Sequence, residues 1–220
     1  MPTFNGKKRM NKTQVIEKIK ETGIIPVIRT DSAEQSQAAI EALIKGGIDV
    51  LEVTLTIPGA VRLIERLTGE YKNTALIGAG TILNKDAARK CVEAGAKFIV
   101  SPILDAETVA FCNQNKIAVM PGALTPTEIY SAWQAGADMV KIFPVSAMGG
   151  VSYLKAVKAV FPQYEFVPTG GVNLENAVDY IQAGAFAVGM GGELTKERES
   201  VITRHARNLR DKIDLNANRK

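Results

Sequence analysis

Two apolar segments of the chain each carry one charged side chain. Lys141 lies in the segment MVKIF, and Glu52 lies in the segment VLEVTLT. An ammonium or carboxylate group is costly to bury unless the charge is paired, neutralised or used in chemistry. Side chains alternate between the two faces of a strand, so Glu52 shares a face with Thr54 and Thr56. The two ionisable residues are therefore the first candidates for a functional site.

A lysine amine and a carboxylate that meet in a dry interior can perform Schiff-base chemistry. Desolvation favours the neutral amine, which attacks a carbonyl carbon, and the carboxylate moves protons while the carbinolamine forms and breaks down. The protonated imine accepts electrons from an adjacent carbon–carbon bond as that bond breaks, which is class I aldolase chemistry. The alternative for Lys141 and Glu52 is a structural ion pair, although buried pairs stabilise weakly because desolvation offsets the attraction.

Eight apolar runs could position these residues. Four of the runs follow a helical segment that ends at glycine, and these glycines recur at spacings of 48, 41 and 48 residues. Each run predicts a buried parallel strand. The predicted strands lie within residues 23–30, 45–56, 75–81, 93–101, 117–124, 134–143, 166–172 and 182–190.

Helical patterns fill the gaps between the predicted strands. They span Ala33–Lys45, Gly59–Leu67, Lys85–Ala94, Ala106–Asn115, Pro126–Ala135, Gly150–Val160, Leu174–Ala183 and Lys196–Ile213, and an extra helix, Lys12–Thr22, precedes the first strand. Eight strand–helix units in about 200 residues predict an α/β fold, a (β/α)8 TIM barrel with an extra N-terminal helix. A doubly wound open sheet is the alternative, but no GxGxxG segment opens a helix after the first strand.

The barrel prediction places Glu52 and Lys141 on the inner face. The outer face of each strand packs against apolar helices, where a charged side chain would lack partners. Glu52 belongs to the second strand and Lys141 to the sixth, and inward residues from alternate strands share a layer. We therefore expect the two side chains to meet near the mouth, the end of the barrel formed by the carboxyl ends of the strands. Active sites of this fold lie at that end.

Length and charge predict one domain with a short basic arm. The chain has 220 residues, enough for a single barrel domain over residues 12–220. Its net charge of +4 equals the charge of residues 1–12, which contain Lys7, Lys8, Arg9 and Lys12 and no acid. Because the remaining chain is neutral, we interpret residues 1–11 as a flexible, solvated arm and expect no nucleic-acid surface.

Other classes of protein are disfavoured by composition. No apolar run reaches the ~18 residues needed to span a membrane, and the start of the chain lacks the apolar region of a secretory signal. Cys91 and Cys112 lack metal-ligand spacing and predict no disulfide framework, so we expect a cytoplasmic protein. His205 is the single histidine, which disfavours a histidine metal site or a Ser–His–Asp triad. We expect neither a metal nor a cofactor.

The strand ends carry an ordered set of motifs that resembles one enzyme family. The motifs are LEVTLT with Glu52, GAGT at 78–81, SP at 101–102, MPG at 120–122, KIFP at 141–144 and FVPTGG at 166–171. Together they resemble the aldolases of 2-keto-3-deoxy-6-phosphogluconate (KDPG) and 4-hydroxy-2-oxoglutarate (KHG). The resemblance covers the chain from about residue 12 to residue 213. It implies that Lys141 forms the Schiff base, that Glu52 shuttles protons and that the protein is a homotrimer.

Glycines after the last two predicted strands indicate a phosphate site. Barrels of this fold commonly bind phosphate with the loops after strands seven and eight, and glycine lets backbone N–H groups approach an anion. We assign this cradle to Gly170, Gly171, Gly191 and Gly192, with simple tight turns as the alternative. Members of the family often have a serine in the last cluster, so the chain departs from the family pattern there.

A keto-acid substrate also needs donors for its carboxylate. Many family members have an arginine four residues after the glutamate, where this chain has Thr56. The resemblance implies that Thr81 binds pyruvate. Arg29 at the end of the first strand could supply the cation, because guanidinium suits a carboxylate; a surface or structural arginine is the alternative. Thr56 could add a hydroxyl, while Phe143 and Pro102 could shape the reaction centre or serve as ordinary packing.

The predicted function is a metal-independent lyase that acts on a small keto acid. Cleavage of KDPG would give pyruvate and glyceraldehyde 3-phosphate, and cleavage of KHG would give pyruvate and glyoxylate. One alternative is a phosphate-binding barrel that acts as an isomerase or decarboxylase, with Lys141 as general acid. The other is a non-catalytic sugar-phosphate sensor, which the presence of both Glu52 and Lys141 disfavours.

Overall fold

The predicted apolar runs form buried strands that pair in parallel. The computed structural model describes residues 10–217. The strands are β1 (Ile24–Ile28), β2 (Val50–Thr54), β3 (Leu76–Gly80), β4 (Phe98–Val100), β5 (Ala118–Met120), β6 (Gly122–Ala123), β7 (Val140–Ile142), β8 (Phe166–Pro168) and β9 (Val188–Met190). The fifth predicted strand is divided into β5 and β6 because Pro121 between them has no N–H group to donate to a ladder.

The strands close into a barrel. One sheet has the order β5-β4-β3-β2-β1-β9, and the other has the order β6-β7-β8. A parallel bridge between Thr169 and Gly189 joins the second sheet to β9, while Pro121 joins β5 to β6 along the chain. The TIM-barrel prediction is confirmed, and the open-sheet alternative is wrong.

Nine α-helices lie within residues 10–217 and alternate with the strands. They are α1 (Lys12–Thr22), α2 (Ala33–Lys45), α3 (Ala60–Glu70), α4 (Lys85–Glu93), α5 (Ala106–Gln114), α6 (Pro126–Gln134), α7 (Val151–Val160), α8 (Ala177–Gln182) and α9 (Glu199–Ala217). The predicted bounds of α1 and α2 are confirmed. α8 begins at Ala177 rather than at Leu174, and residues 174–176 form a turn in which the Asn173 side chain accepts the N–H groups of Glu175 and Asn176.

Two short 3-10 turns follow strands at the mouth. Residues Val145–Met148 form one after β7, and residues Gly192–Leu194 form the other after β9. The N–H group of Lys196 donates to the carbonyl oxygen of Gly192 at 2.9 Å, which keeps the chain in the turn. α9 therefore begins at Glu199 rather than at Lys196.

The extra helix α1 closes the amino end of the barrel. Asn11 caps the helix, since its side chain accepts the N–H of Gln14 at 3.0 Å and the Gln14 side chain accepts the N–H of Asn11 at 2.9 Å. Val15 and Ile19 pack against side chains of the barrel interior. Residues 1–9 of the predicted basic arm lie outside the described residues.

Strand alternation separates two apolar clusters. The cluster between the strands and the helices includes Leu51, Val53, Ile77, Ala79, Val140 and Ile142. The cluster inside the barrel includes Ile25, Val50, Leu76, Phe98, Met120, Met139 and Val167. Glu52 follows Val50 by two residues and Lys141 follows Met139 by two, so both share the inward face, as predicted.

Both cysteines are buried and unpaired. Burial raises the pKa of the Cys91 thiol to about 11 and that of the Cys112 thiol to about 12. Among the described helices, none combines the length and the apolar composition needed to cross a membrane.

Candidate active site

Glu52 and Lys141 meet inside the barrel near its mouth. β2 carries Glu52, and β7 carries Lys141, whose backbone N–H donates to the carbonyl oxygen of Pro121 at 2.9 Å. Lys141 Nζ lies 3.8 Å from Glu52 Oε1, and the two side chains are only 7% and 3% exposed. The predicted contact across the interior is confirmed.

The Glu52 carboxylate occupies space that a glycine leaves open. A Cβ added at Gly80 on β3 would clash with Oε1 of Glu52. Gly78, two residues earlier, is crowded in the same way by the ring of Phe98. Sequence reasoning recognised the GAGT motif but assigned no role to Gly80. Its role follows from the pairing of Thr54 with Gly80 across β2 and β3, a register that no sequence pattern specifies.

Glu52 Oε1 is the one buried side-chain oxygen or nitrogen without a hydrogen-bond partner in the described part of the chain. Lys141 Nζ, at 3.8 Å, lies beyond the usual hydrogen-bond range of about 2.7–3.2 Å. The ring centroid of Phe143 lies 5.3 Å from the same nitrogen. An unsatisfied buried oxygen destabilises the fold, and such exceptions call for an explanation such as a catalytic role. Oε1 is available to accept a proton or a hydrogen bond from a bound molecule.

Thr81 stands directly after β3 in a strained conformation. Its φ angle is 59°, in the left-handed region that costs a residue other than glycine about 1–3 kcal/mol. Such strain concentrates at functional sites. Within the described residues, Lys116 after α5 is the only other residue besides glycine with a positive φ angle. Thr81 is half-buried and directly follows Gly80, the residue beside which the Glu52 carboxylate lies.

The threonines of β2 form a hydrogen-bonded chain. Thr54 Oγ1 donates to the carbonyl oxygen of Ile28 at 2.9 Å, and it lies 2.8 Å from Thr56 Oγ1. Since the Thr54 proton is committed to Ile28, the Thr56 hydroxyl must be the donor in the second bond. Thr56 then has no proton left for a substrate carboxylate. Arg29 after β1 is exposed, and no described residue forms an ion pair with it.

Pro102 lies beside Gly122 on β6. Its carbonyl group lies so close to Gly122 that a Cβ at Gly122 would clash with it. Gly122 on β6 is the register partner of Lys141 on β7. Phe143, which the sequence also places near the reaction centre, is 36% exposed.

The four glycines of the predicted cradle follow adjacent strands. Gly170 and Gly171 have φ angles of 84° and 88° and form the turn after β8, here called the glycine turn. Gly191 and Gly192 follow β9, which the Thr169–Gly189 bridge holds beside β8. Within residues 10–217, none of the four backbone N–H groups donates to an acceptor of the protein. The loops therefore present N–H groups at neighbouring strand ends.

Two clefts lie at the amino end of the barrel, away from this site. One has a volume of about 690 Å³ and includes Lys18, Asp49, Leu76 and Lys97 in its lining. The other has a volume of about 730 Å³ and includes Lys12, Glu93, Asn113 and Lys116. Neither contains Glu52 or Lys141. No group of histidine, cysteine or acidic side chains among the described residues is arranged to hold a metal ion.

Comparison with known proteins connects this geometry to one family. The family model described as KDPG and KHG aldolase matches residues 15–206. The 2-dehydro-3-deoxy-phosphogluconate aldolase of Haemophilus influenzae is 34% identical over 206 residues, 92% of this chain and 96% of that protein. The KHG/KDPG aldolase of Escherichia coli is 37% identical over 166 residues, 75% of this chain and 78% of that protein.

A solved structure gives the same result. The crystal structure of KDPG aldolase from Legionella pneumophila, with pyruvate captured as a covalent carbinolamine intermediate, matches with a TM-score of 0.81 and 32% identity. The match covers 92% of this chain and 99% of that one. Family model, relatives and structure agree, and the chain belongs to the KDPG and KHG aldolase family.

Proposed function

We propose that this protein is a class I aldolase that cleaves a 2-keto-4-hydroxy acid to pyruvate and an aldehyde. The observation that carries the proposal is the buried contact of 3.8 Å between Lys141 Nζ and Glu52 Oε1. Imine formation needs a nucleophilic amine and a group that moves protons, and this pair supplies both. The named activities of the relatives and the trapped carbinolamine of the Legionella enzyme support the same chemistry.

Imine formation begins with attack of Lys141 Nζ on the C2 carbonyl carbon. Glu52 first carries one proton from the nitrogen to the oxygen, which gives the neutral carbinolamine. A second proton, taken from solvent and delivered by Glu52, lets the hydroxyl group leave as water, so that the protonated imine forms and Glu52 remains as a carboxylate.

Carbon–carbon cleavage uses the same carboxylate. Glu52 Oε1, which no described side chain engages in a hydrogen bond, accepts the proton of the 4-hydroxyl group as the C3–C4 bond breaks. The electron pair of that bond moves into the imine, leaving an enamine and releasing the aldehyde. Glu52 then returns its proton to C3, and water hydrolyses the pyruvate imine to regenerate the lysine. The imine withdraws electrons as a metal ion would, so these steps use no metal or cofactor.

The pyruvate carboxylate is proposed to bind between Thr81 and Arg29. Thr81 directly follows Gly80, beside which the Glu52 carboxylate lies, and Arg29 is exposed after strand β1, the neighbour of β2. Arginine binds a carboxylate through two parallel N–H groups. Phe143 and Pro102 line the reaction centre and limit the access of water. Thr56 has a smaller role than the sequence suggested, because its proton is committed to Thr54.

The substrate phosphate is proposed to bind at Gly170, Gly171, Gly191 and Gly192. A Cβ at Gly170 would lie 3.2 Å from the ring of Phe143, which itself lies over Lys141. The glycine turn is therefore close enough to the amine for one short substrate to reach both. This favours KDPG, with glyceraldehyde 3-phosphate as the aldehyde product, over KHG and its product glyoxylate.

We also propose, by resemblance to the family, that the protein is a cytoplasmic homotrimer. Exposed apolar side chains near the mouth, Leu83, Ile103 and Tyr130, offer surface for contacts between subunits. Sedimentation equilibrium should give three times the mass of the chain, and a monomer at micromolar concentration would contradict the trimer.

Pyruvate release tests the proposed activity. KDPG and KHG should be supplied side by side, with lactate dehydrogenase and NADH reporting pyruvate. We expect turnover of KDPG, with a higher kcat/KM than for KHG. No pyruvate from either acid would contradict the aldolase activity, and a clear preference for KHG would contradict the phosphate assignment.

A further inference from the structure

Ser146 places a hydroxyl group against the glycine turn. A Cβ added at Gly171 would lie 2.7 Å from Ser146 Oγ. The N–H of Ser146 donates to the carbonyl oxygen of Gly170 at 3.1 Å, and the N–H of Val145 donates to that of Thr169 at 2.9 Å. These two bonds fix the 3-10 turn after β7 beside the glycine turn after β8. Ser146 Oγ and the N–H groups of Gly170 and Gly171 therefore belong to one small surface.

The Ser146 hydroxyl has no hydrogen-bond partner within the described part of the protein. Ser146 is exposed, and its Oγ forms no hydrogen bond to any residue among 10–217. Ser152, at the start of α7 in the same region, differs because its Oγ donates to the carbonyl oxygen of Gly149 at 2.8 Å. Ser146 is distinguished from an ordinary surface serine by its neighbours, two backbone N–H groups that also donate to no described residue.

The other side of the cradle contributes no side-chain donor. Gly191 and Gly192 have only backbone N–H groups, and a Cβ at Gly192 would meet nothing within 4 Å. A phosphate ester presents three terminal oxygens, each of which accepts strong hydrogen bonds. A phosphate bound by the backbone N–H groups of the four glycines would thus still have an oxygen on the side of Ser146 that can accept a hydrogen bond.

We propose that Ser146 donates a hydrogen bond to the substrate phosphate and thereby sets a preference for phosphorylated keto acids. The inference rests on the proposed function, since it assigns one donor within the proposed phosphate site. Hydrogen bonds to charged groups are stronger than those between neutral groups, and loss of one corresponds to about a tenfold loss of affinity. KHG has no phosphate, so its binding should not depend on Ser146.

Ser146→Ala tests this role, and Ser152→Ala is the matched control. In Ser146→Ala, KM for KDPG should rise about tenfold with kcat nearly unchanged, while KM for KHG stays the same. Ser152→Ala should leave both KM values near those of the unmodified protein, because its hydroxyl bonds within the helix start. An unchanged KM for KDPG in Ser146→Ala, or an equal rise for both acids, would overturn the proposal.

Binding of inorganic phosphate separates this inference from the proposed activity. Calorimetric titration of the full chain with inorganic phosphate needs no turnover, and Kd should rise about tenfold in Ser146→Ala alone. That result in a protein that cleaves neither acid would support the role of Ser146 and reject the aldolase activity. The role of Ser146 would be rejected, and the aldolase activity would stand, if the protein cleaves KDPG but Ser146→Ala binds phosphate as tightly as the unmodified protein does. The same conclusion would follow if the protein cleaves KDPG and neither protein binds phosphate.

Discussion

The two ends of the barrel interior are lined by inward-facing side chains of the same strands, but these side chains are apolar at one end and ionisable at the other. At the amino end, Val50 on β2, Leu76 at the start of β3 and Met139 just before β7 pack together under the cover of α1. Two residues further along β2 and β7, the inward positions belong to Glu52 and Lys141. One end is a packed apolar layer, and the other holds two ionisable groups.

Two glycines on β3 mark the change from the apolar layer to the ionisable pair. The space beside Gly78 is filled by the ring of Phe98, an apolar side chain that extends the packed layer. The space beside Gly80 is filled by the carboxylate of Glu52, whose Oε1 has no hydrogen-bond partner among the described residues. Packing at the amino end therefore stabilises the fold, and the unpartnered oxygen near the mouth can bind a substrate. Substitutions at the two ends should separate stability from turnover.

The sharpest form of this comparison uses two residues that share one face of the same segment. Lys141→Ala should lower kcat by more than about 10⁴-fold, because no other group can replace the nucleophile, and the protein should still fold. Met139→Ala should lower the free energy of unfolding by about 2–5 kcal/mol and keep kcat near its original value at low temperature. Steady-state kinetics and urea unfolding measure the two effects. Substantial pyruvate release by Lys141→Ala would break the comparison.

Glu52→Gln keeps the shape of the side chain and removes its ability to carry a proton. We expect kcat to fall by about 10²–10⁴-fold, the usual contribution of a positioned acid or base. Glu165→Gln is the matched control. Glu165 directly precedes β8, at the end of the barrel opposite the mouth, and its Oε2 lies 3.6 Å from Lys158 Nζ. Similar losses of kcat in both variants would show that the carboxylate of Glu52 has no special role.

The two glycines of β3 should respond differently to the same added methyl group. Gly80→Ala pushes against the Glu52 carboxylate and should lower kcat about 10²-fold, because a shift of roughly 1 Å in a catalytic group has that effect. Gly78→Ala pushes against the Phe98 ring and should lower the free energy of unfolding by about 1–3 kcal/mol through overpacking. A Gly80→Ala protein with normal turnover would mean that the carboxylate position is not critical.

Thr81 and Lys116 share a left-handed backbone but lie near different ends of the barrel, so they form another matched pair. Glycine adopts this conformation without strain, so both Thr81→Gly and Lys116→Gly should keep the free energy of unfolding within about 1 kcal/mol of its original value. Thr81→Gly alone should raise KM for the keto acid, by about tenfold, through the lost hydroxyl. Equal KM values in the two variants would remove Thr81 from the substrate site.

The sequence was sufficient for the barrel and for its central pair because both depend on simple periodicities. Alternation with period two placed Glu52 and Lys141 on the inner face, and the order of strands placed them across from each other. The predicted bounds of α1 and α2 coincide with an Asn or Ser cap at one end and a glycine at the other.

The rest depended on contacts and dihedral angles that periodicity does not determine. The fit of Glu52 beside Gly80 depends on the register between β2 and β3. The strain at Thr81 is a backbone angle, and threonine is an unusual residue at that angle. The commitment of the Thr56 proton depends on the bond from Thr54 to Ile28, which lies on another strand. Each of these features modifies the site without altering the order of the elements.

The most direct test of the central claim is reductive trapping of the lysine. The full chain should be incubated with pyruvate and sodium borohydride, digested and analysed by peptide mass spectrometry. A reduced pyruvate adduct on the peptide that contains Lys141, absent when Lys141→Ala is treated in the same way, is the expected result. An unmodified Lys141 peptide, or an adduct on another lysine of the unsubstituted chain, would contradict the assignment of Lys141 as the Schiff-base residue.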